Sequence, residues 1–285
     1  MRLKTAPYNN KPFALDYPSW LATQPEPLYS SEQVYQIEKA WFNQGYDSFA
    51  LMQQAAWQIS QYIIKHAQSA RASNQTPFEV AFRQSSTLSA TIWAGLGNNG
   101  GDGWLIAYYL SQFGWHVKVI DVGHIDVTDS SDAARARALA TQQDIKVIDF
   151  DTLTEDSLAL YCSWTHYHID ALFGIGLDRP PKDTFATAIK AFNQIVKQTG
   201  ALAVSVDIPS GVVASTGQVF DSCAIQADIT LCLVAAKLGL VIKDGVNYCG
   251  QVVHLPLIPL IPVIDSQQVI NPSAWQVSQP LPMLP

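Results

Sequence analysis

The sequence predicts an α/β fold of three layers: a mostly parallel central sheet between helices, with two N-terminal helices packed on it. Two observations carry that prediction. From Leu88 onward, short apolar runs alternate with stretches of helical periodicity, the pattern of parallel strands joined by crossover helices. Before Leu88 the apolar residues recur at helical spacing only.

Taken in order, residues 1–28 carry prolines and polar residues without periodicity and are expected to form an N-terminal arm. Ser30 or Ser31, followed by Glu32 and Gln33, supplies the capping groups that open a helix. Val34, Ile37, Ala40 and Trp41 then recur along one face of it. After Gly45 a second helix places Leu51, Met52, Ala55, Ile59, Tyr62 and Ile63 on a core-facing stripe. Six apolar runs follow as strands, at 88–94, 116–121, 145–149, 166–173, 201–208 and 229–234. Helical patterns lie between them near 103–113, 130–142 and 183–198. In such sheets ligands bind beyond the carboxyl ends of the strands, so chemistry is expected in the loops that follow the runs. Residues 261–285, rich in Pro, Gln and Ser, read as a linker or tail, which leaves 29–260 as one domain.

At 285 residues and 48% hydrophobic content, the chain can bury a sizeable core. Its 24 acidic and 17 basic residues give a net charge of −7 and no basic stripe, which argues against a nucleic-acid partner. An anionic ligand must therefore meet local positive potential from backbone N–H groups, a lysine or a cation. The four cysteines show neither CxxC nor zinc-ligand spacing, and Cys232, inside an apolar run, reads as a buried small hydrophobe. The six histidines form no HExxH or HxxxH pair. The N-terminus lacks the apolar core of a signal peptide, and no run reaches the roughly 18 apolar residues of a membrane span. A cytoplasmic protein without a membrane partner is expected.

Chemistry concentrates in the loop after the first strand, Gly95-Leu96-Gly97-Asn98-Asn99-Gly100-Gly101-Asp102-Gly103. Gly95, Gly97 and Gly100 satisfy GxGxxG between a strand and a helix, and Asp121 ends the next strand about 20 residues later, the Rossmann-like context for dinucleotide binding. The loop lacks the Lys-Ser/Thr of a P-loop. Asn98, Asn99 and Asp102 bring more amide and carboxyl groups to one helix N-terminus than a dehydrogenase fingerprint needs, although Asp102 could also serve simply as a cap.

GNNGGDG in this position resembles the signature of the NAD(P)H-hydrate epimerase family, and four further segments follow in that family's order. These are Asp170-Ala171-Leu172-Phe173-Gly174-Ile175-Gly176-Leu177, then Val206-Asp207-Ile208-Pro209-Ser210-Gly211 with Thr216-Gly217, then Ala236-Lys237-Leu238-Gly239, then Tyr248-Cys249-Gly250. The likeness runs from about 29 to 258. Two segments depart from the family pattern: Leu51-Met52-Gln53-Gln54-Ala55-Ala56 stands where Leu-Met-Glu precedes Ala-Gly, and Ala236 stands where proline is usual.

The resemblance implies an isomerase acting on NAD(P)HX, the hydrated form of NADH or NADPH, whose hydroxyl sits on the ring carbon bonded to nitrogen. Epimerisation there needs a positioned carboxyl to carry a proton to and from that oxygen. Asp207, ending an apolar strand, is the first candidate, and Lys237 the second, either tuning Asp207 or neutralising phosphate. Asn98, Asn99, Gly100, Gly101 and Asp102, with Gly174, Ile175, Gly176, Leu177, Asp178, Arg179, Pro180 and Asp207, are expected to bind the dinucleotide. By resemblance, Asn99, Asp170 and Ser210 hold one potassium ion per subunit, an oxygen-only set that suits a hard cation. The resemblance also implies a C-terminal ADP-dependent dehydratase domain in the full-length protein, and we expect a homo-oligomer. Two other readings stay open: a Rossmann-type NAD(P)-dependent dehydrogenase using Asp121, and a non-catalytic nucleotide-binding scaffold.

Overall fold

A computed structural model describes residues 28–72, 87–123 and 130–258. The expected tail at 261–285, and all of the expected arm except Leu28, lie outside the described residues. The elements run α1 (Ser31–Asn43), α2 (Ser48–Ala72), β1 (Ser89–Ala94), α3 (Asn98–Gln112), β2 (His116–Asp121), α4 (Asp132–Thr141) and β3 (Lys146–Asp149). They continue with α5 (Glu155–Cys162), β4 (Tyr167–Ala171), α6 (Asp183–Thr199), β5 (Leu202–Val206), β6 (Ile229–Leu233) and β7 (Gln251–Leu255). The sheet has the order β3-β2-β1-β4-β5-β6-β7, and every pairing is parallel. Strand order reverses between β1 and β4, which opens a crevice at their carboxyl ends.

Alternation along β1 divides the core between the two faces of the sheet. Ala90, Ile92 and Ala94 join a cluster with α2, α3 and α4, including Ile59, Trp104 and Leu105. Trp93 faces the other way, into a cluster with Tyr161 of α5 and Ile189 and Phe192 of α6. The central strands β1, β4, β5 and β6 are thus buried on both sides, which is why their runs read as continuously apolar. Cys232 is fully buried, as expected of a small hydrophobe.

Two elements were not anticipated from the sequence. Helix α5 is eight residues long and exposes Leu160 beside its buried Tyr161 and Cys162, so it shows little periodicity. Its start is nevertheless encoded in a capping box between Thr154 and Ser157. Strand β7 lies at the sheet edge and is only partly covered, so its polar and apolar residues do not sort cleanly. Helix α3 also begins at Asn98, five residues before its apolar pattern does, with Gly97 as the cap position. Its glycine-rich start is imposed by packing. A Cβ on Gly95 would meet the Leu172 carbonyl oxygen at 2.1 Å, and one on Gly100 would meet the Gly95 carbonyl oxygen at 1.9 Å.

Helix α1 opens on the expected capping box: the Ser30 hydroxyl accepts from the Gln33 amide, and the Gln33 side chain accepts from the Ser30 amide. Just before it, the Tyr29 amide donates to the Ala236 carbonyl (2.8 Å), and the Leu238 amide donates to the Tyr29 carbonyl (2.9 Å). The start of α1 is therefore tied to both sides of Lys237.

Candidate active site

A cavity of about 940 Å³ opens at the switch point of the sheet. Its walls come from α1 and α2, from residues 96–99 and Asp102 after β1, from 172–185 after β4, and from Asp207, Leu233, Val234 and Lys237 beyond β5 and β6. Of the residues expected to bind a dinucleotide, Asn98, Asn99, Asp102, Asp207 and all of 174–180 lie on this wall. Gly100 and Gly101 do not. They are buried against the Gly95 backbone and the Met52 thioether, and their lack of side chains lets α3 close on the loop.

Asp207 is held by an unusual piece of backbone. Its φ is +67°, and the Ile208 amide reaches back to the Val206 carbonyl (2.8 Å), a three-residue turn centred on Asp207. Val234 repeats the arrangement after β6, with φ +58° and the Ala235 amide bonded to the Leu233 carbonyl (2.6 Å). Turns of this hand are rare and strained, and strain of this kind collects at functional sites. The two turns are bonded to each other. The Leu233 amide donates to Asp207 Oδ1 (2.9 Å), and Lys237 Nζ donates both to that same oxygen and to the Leu233 carbonyl.

Lys237 is 1% exposed and is therefore not a solvated surface lysine. Burial works to lower its pKa, but Asp207 and the other nearby acids outweigh it and the net shift is upward. Lys237 is therefore an ammonium ion inside the protein. Asp102, on the second turn of α3, is not the helix cap; burial and the neighbouring Asp207 and Glu38 push its carboxyl well above the usual range. Glu38, on α1, escaped the sequence reading. It faces the same cavity, and burial, with Asp207 adding and Lys237 opposing, raises its pKa to about 7. Its only sequence signal was an acid one turn beyond Val34.

The three residues expected to share a cation converge behind the loop after β4. Asp170 is fully buried and accepts four hydrogen bonds, from the Ser210 hydroxyl (2.6 Å), the Ser210 amide (2.9 Å), Ser205 (2.9 Å) and the Leu172 amide (3.2 Å). Ser210 Oγ also lies 3.2 Å from the Phe173 carbonyl, to which Asn99 Nδ2 donates at 2.9 Å. One network thus gathers a carboxylate, a hydroxyl, an amide and a backbone carbonyl from three loops. Asn99 Oδ1 accepts no hydrogen bond among the described residues.

The family described as YjeF-related protein N-terminus matches residues 48–239. The chain belongs to that family. The NAD(P)H-hydrate epimerase of Limosilactobacillus reuteri (strain DSM 20016) is 33% identical over 209 residues, covering 73% of this chain and 84% of that protein. The bifunctional NAD(P)H-hydrate repair enzyme Nnr of Thermofilum pendens is 33% identical over 204 residues, 70% of this chain and 36% of that enzyme. The crystal structure of yeast YNL200c has a TM-score of 0.62 over 80% of this chain and 86% of that one, at 20% identity, a likeness of fold.

Within the YjeF-related family fold, Asp121 does not serve as the ribose-binding acid of a dehydrogenase. It is 1% exposed, off the cavity wall, and bonded by Arg137 Nη2 of α4 at 3.0 Å. The departures at 51–56 are also accounted for. Gln54 Nε2 donates to the Leu257 carbonyl (2.8 Å), and Ala56 is fully buried, so both serve the seat of α2 and leave the cavity carboxyls untouched.

Proposed function

We propose that this chain is an NAD(P)H-hydrate epimerase, interconverting the R and S forms of hydrated NADH or NADPH. The observation that carries the reading is Asp207, a carboxylate ion-paired to a buried lysine on the wall of a switch-point cavity, in a chain whose relatives bear that name. The hydroxyl to be inverted sits on ring carbon 6, beside ring nitrogen 1. As the C–O bond breaks, the nitrogen lone pair forms a double bond to the carbon, and the oxygen leaves with an added proton as water. Water then adds to the other face and loses a proton, while the electron pair returns to nitrogen. No hydride moves. Oδ1 of Asp207 is occupied by Lys237 and the Leu233 amide, so Oδ2 is the oxygen available for proton transfer.

The first amides of α3, together with the backbone at 174–180 and the exposed Arg179, supply donors and charge for the diphosphate. Asn99, Asp170 and Ser210, with the Phe173 carbonyl, fit a hard monovalent cation by their oxygen-only chemistry, and one potassium ion per subunit would bind these three loops together beside the diphosphate. Four buried cysteines, none in a disulfide among the described residues, support a cytoplasmic setting. The bifunctional relatives support a dehydratase domain following this one in the full-length protein. A homo-oligomer completes the proposal and is checked by light scattering.

The test is chiral separation of a single NADHX epimer after incubation with the protein. The epimerase should bring it to an equilibrium mixture without change in the nicotinamide absorbance. An epimer that stays as it was in buffer alone overturns the function; oxidation or reduction of the ring replaces it with a dehydrogenase.

A further inference from the structure

Inversion at one carbon poses a problem that Asp207 alone does not solve. The hydroxyl leaves from one face of the ring and water arrives at the other, so proton transfer is needed on both faces. A single carboxyl would have to travel around the ring, or the ring would have to turn in its cavity. A second proton-transfer group on a different wall removes the difficulty.

Glu38 is placed to be that group. It enters the cavity from α1, whereas Asp207 enters from the end of β5. Tyr35, one turn earlier on the same helix face, reaches the loop after β4: a Cβ on Gly176 would lie 3.0 Å from the Tyr35 hydroxyl. The helix is anchored at the site itself. Tyr29 bonds on both sides of Lys237, and the Ser31 amide donates to Ser215 Oγ at 2.8 Å. Anchoring of this kind fixes the distance from Glu38 to the Lys237–Asp207 pair.

We propose that Glu38 is the second catalytic carboxyl, and that the hydrated ring lies between it and Asp207. The assignment rests on the epimerase reading above. One proton is shared by the pair. When the hydroxyl faces Glu38, the protonated Glu38 gives it up as the C–O bond breaks, and Asp207 takes a proton from the water that adds opposite. In the reverse turnover Asp207 donates and Glu38 accepts, so each inversion moves one proton from one carboxyl to the other. The groups facing Glu38 are Tyr35 on its own helix, Asp102 of α3, Asp207 and Lys237. Burial and Asp207 hold Glu38 protonated up to about pH 7, against the opposing Lys237, so the proton is present where it is needed.

The test compares wild type, Glu38→Gln and Glu38→Asp, each started from a single NADHX epimer in oxygen-18 water. Wild type should incorporate one labelled oxygen per inversion. Glu38→Gln should lose roughly 10²–10⁴-fold in kcat with KM near wild type. Its pH profile should lose the limb near pH 7, and label should exceed inversion when the hydroxyl starts on the Asp207 face, because water can return only there. Glu38→Asp should recover part of kcat. Should Glu38→Gln lose its fold by circular dichroism, Glu38→Asp decides, through a lowered kcat at constant KM and a moved limb. A Glu38 variant with wild-type kcat, or with exchange and inversion lost equally and the pH profile intact, overturns the assignment. A wild type that does not interconvert the epimers overturns instead the epimerase reading beneath it.

Discussion

Asp207 and Lys237 form a buried ion pair that bears on both stability and the proposed chemistry. Asp207→Asn keeps the shape and the acceptor oxygen for Lys237 but removes the carboxyl proposed to carry the proton. Turnover should fall roughly 10²–10⁴-fold while the binding of NADH, measured by titration, changes far less. Binding lost with turnover intact would make Asp207 a ligand-positioning residue. Lys237→Met acts differently. It strands a carboxylate against the Leu233 amide with no counter-charge, and breaking a buried pair in this way costs about 3–5 kcal/mol, readable as a shift in the denaturant midpoint. It also removes the cation that opposes the rise in the Glu38 pKa, so the pH limb of any remaining activity should move to higher pH. An unmoved limb would mean that Glu38 and Lys237 do not sense one another.

Among the elements, the turn from β1 into α3 was the most legible. Its glycines announced a ligand loop, but the structure separates two uses of glycine. Gly95 and Gly100 permit backbone to touch backbone, whereas a Cβ on Gly97 would meet nothing within 4 Å. Gly95→Ala or Gly100→Ala should therefore cost about 1–3 kcal/mol through overpacking, and Gly97→Ala less than about 1 kcal/mol through a poorer cap. Urea denaturation of the three variants checks the order, and equal losses would refute the distinction. The same contrast explains what the sequence could reveal. Six strands were legible as short apolar runs, and α1, α2 and α6 because a buried face imposes a period. Strand β7, with one edge open, and α5, at two turns, lack that constraint. Asp170 and Ser210 could be named only as a set carried over from a resemblance; their four-bond network is a product of the fold. Glu38 was invisible because its place on the cavity wall depends on what α1 is tied to, and no spacing within α1 encodes that tie.

For the whole molecule, the fold brings Glu38, Asp102 and Asp207, three of the carboxyls that line the cavity, together near the buried Lys237. Burial favours the neutral form of two of them, which eases the repulsion. Glu38 titrates near its ordinary value of 4.5 when unfolded and at about 7 when folded, and Asp102 is shifted in the same direction. Between those values the folded state binds more protons than the unfolded state, so stability must fall as pH rises. The contribution of Glu38 is complete below pH 4.5 and is lost as pH passes through about 7. His168 acts oppositely: burial lowers its pKa to about 3, so it penalises folding at pH values below its ordinary 6.5. Across pH 6.5 to 8 this opposing contribution, to which His166 adds, fades, and the carboxyls come to set the slope. Thermal melts across this range should show Tm falling with pH for the wild type. Glu38→Gln, which cannot ionise, should flatten that slope and gain on the wild type most at pH 8, whatever its effect on catalysis. A Glu38→Gln curve parallel to the wild type would mean that Glu38 gives up its proton to solvent as readily in the folded protein as in the unfolded chain.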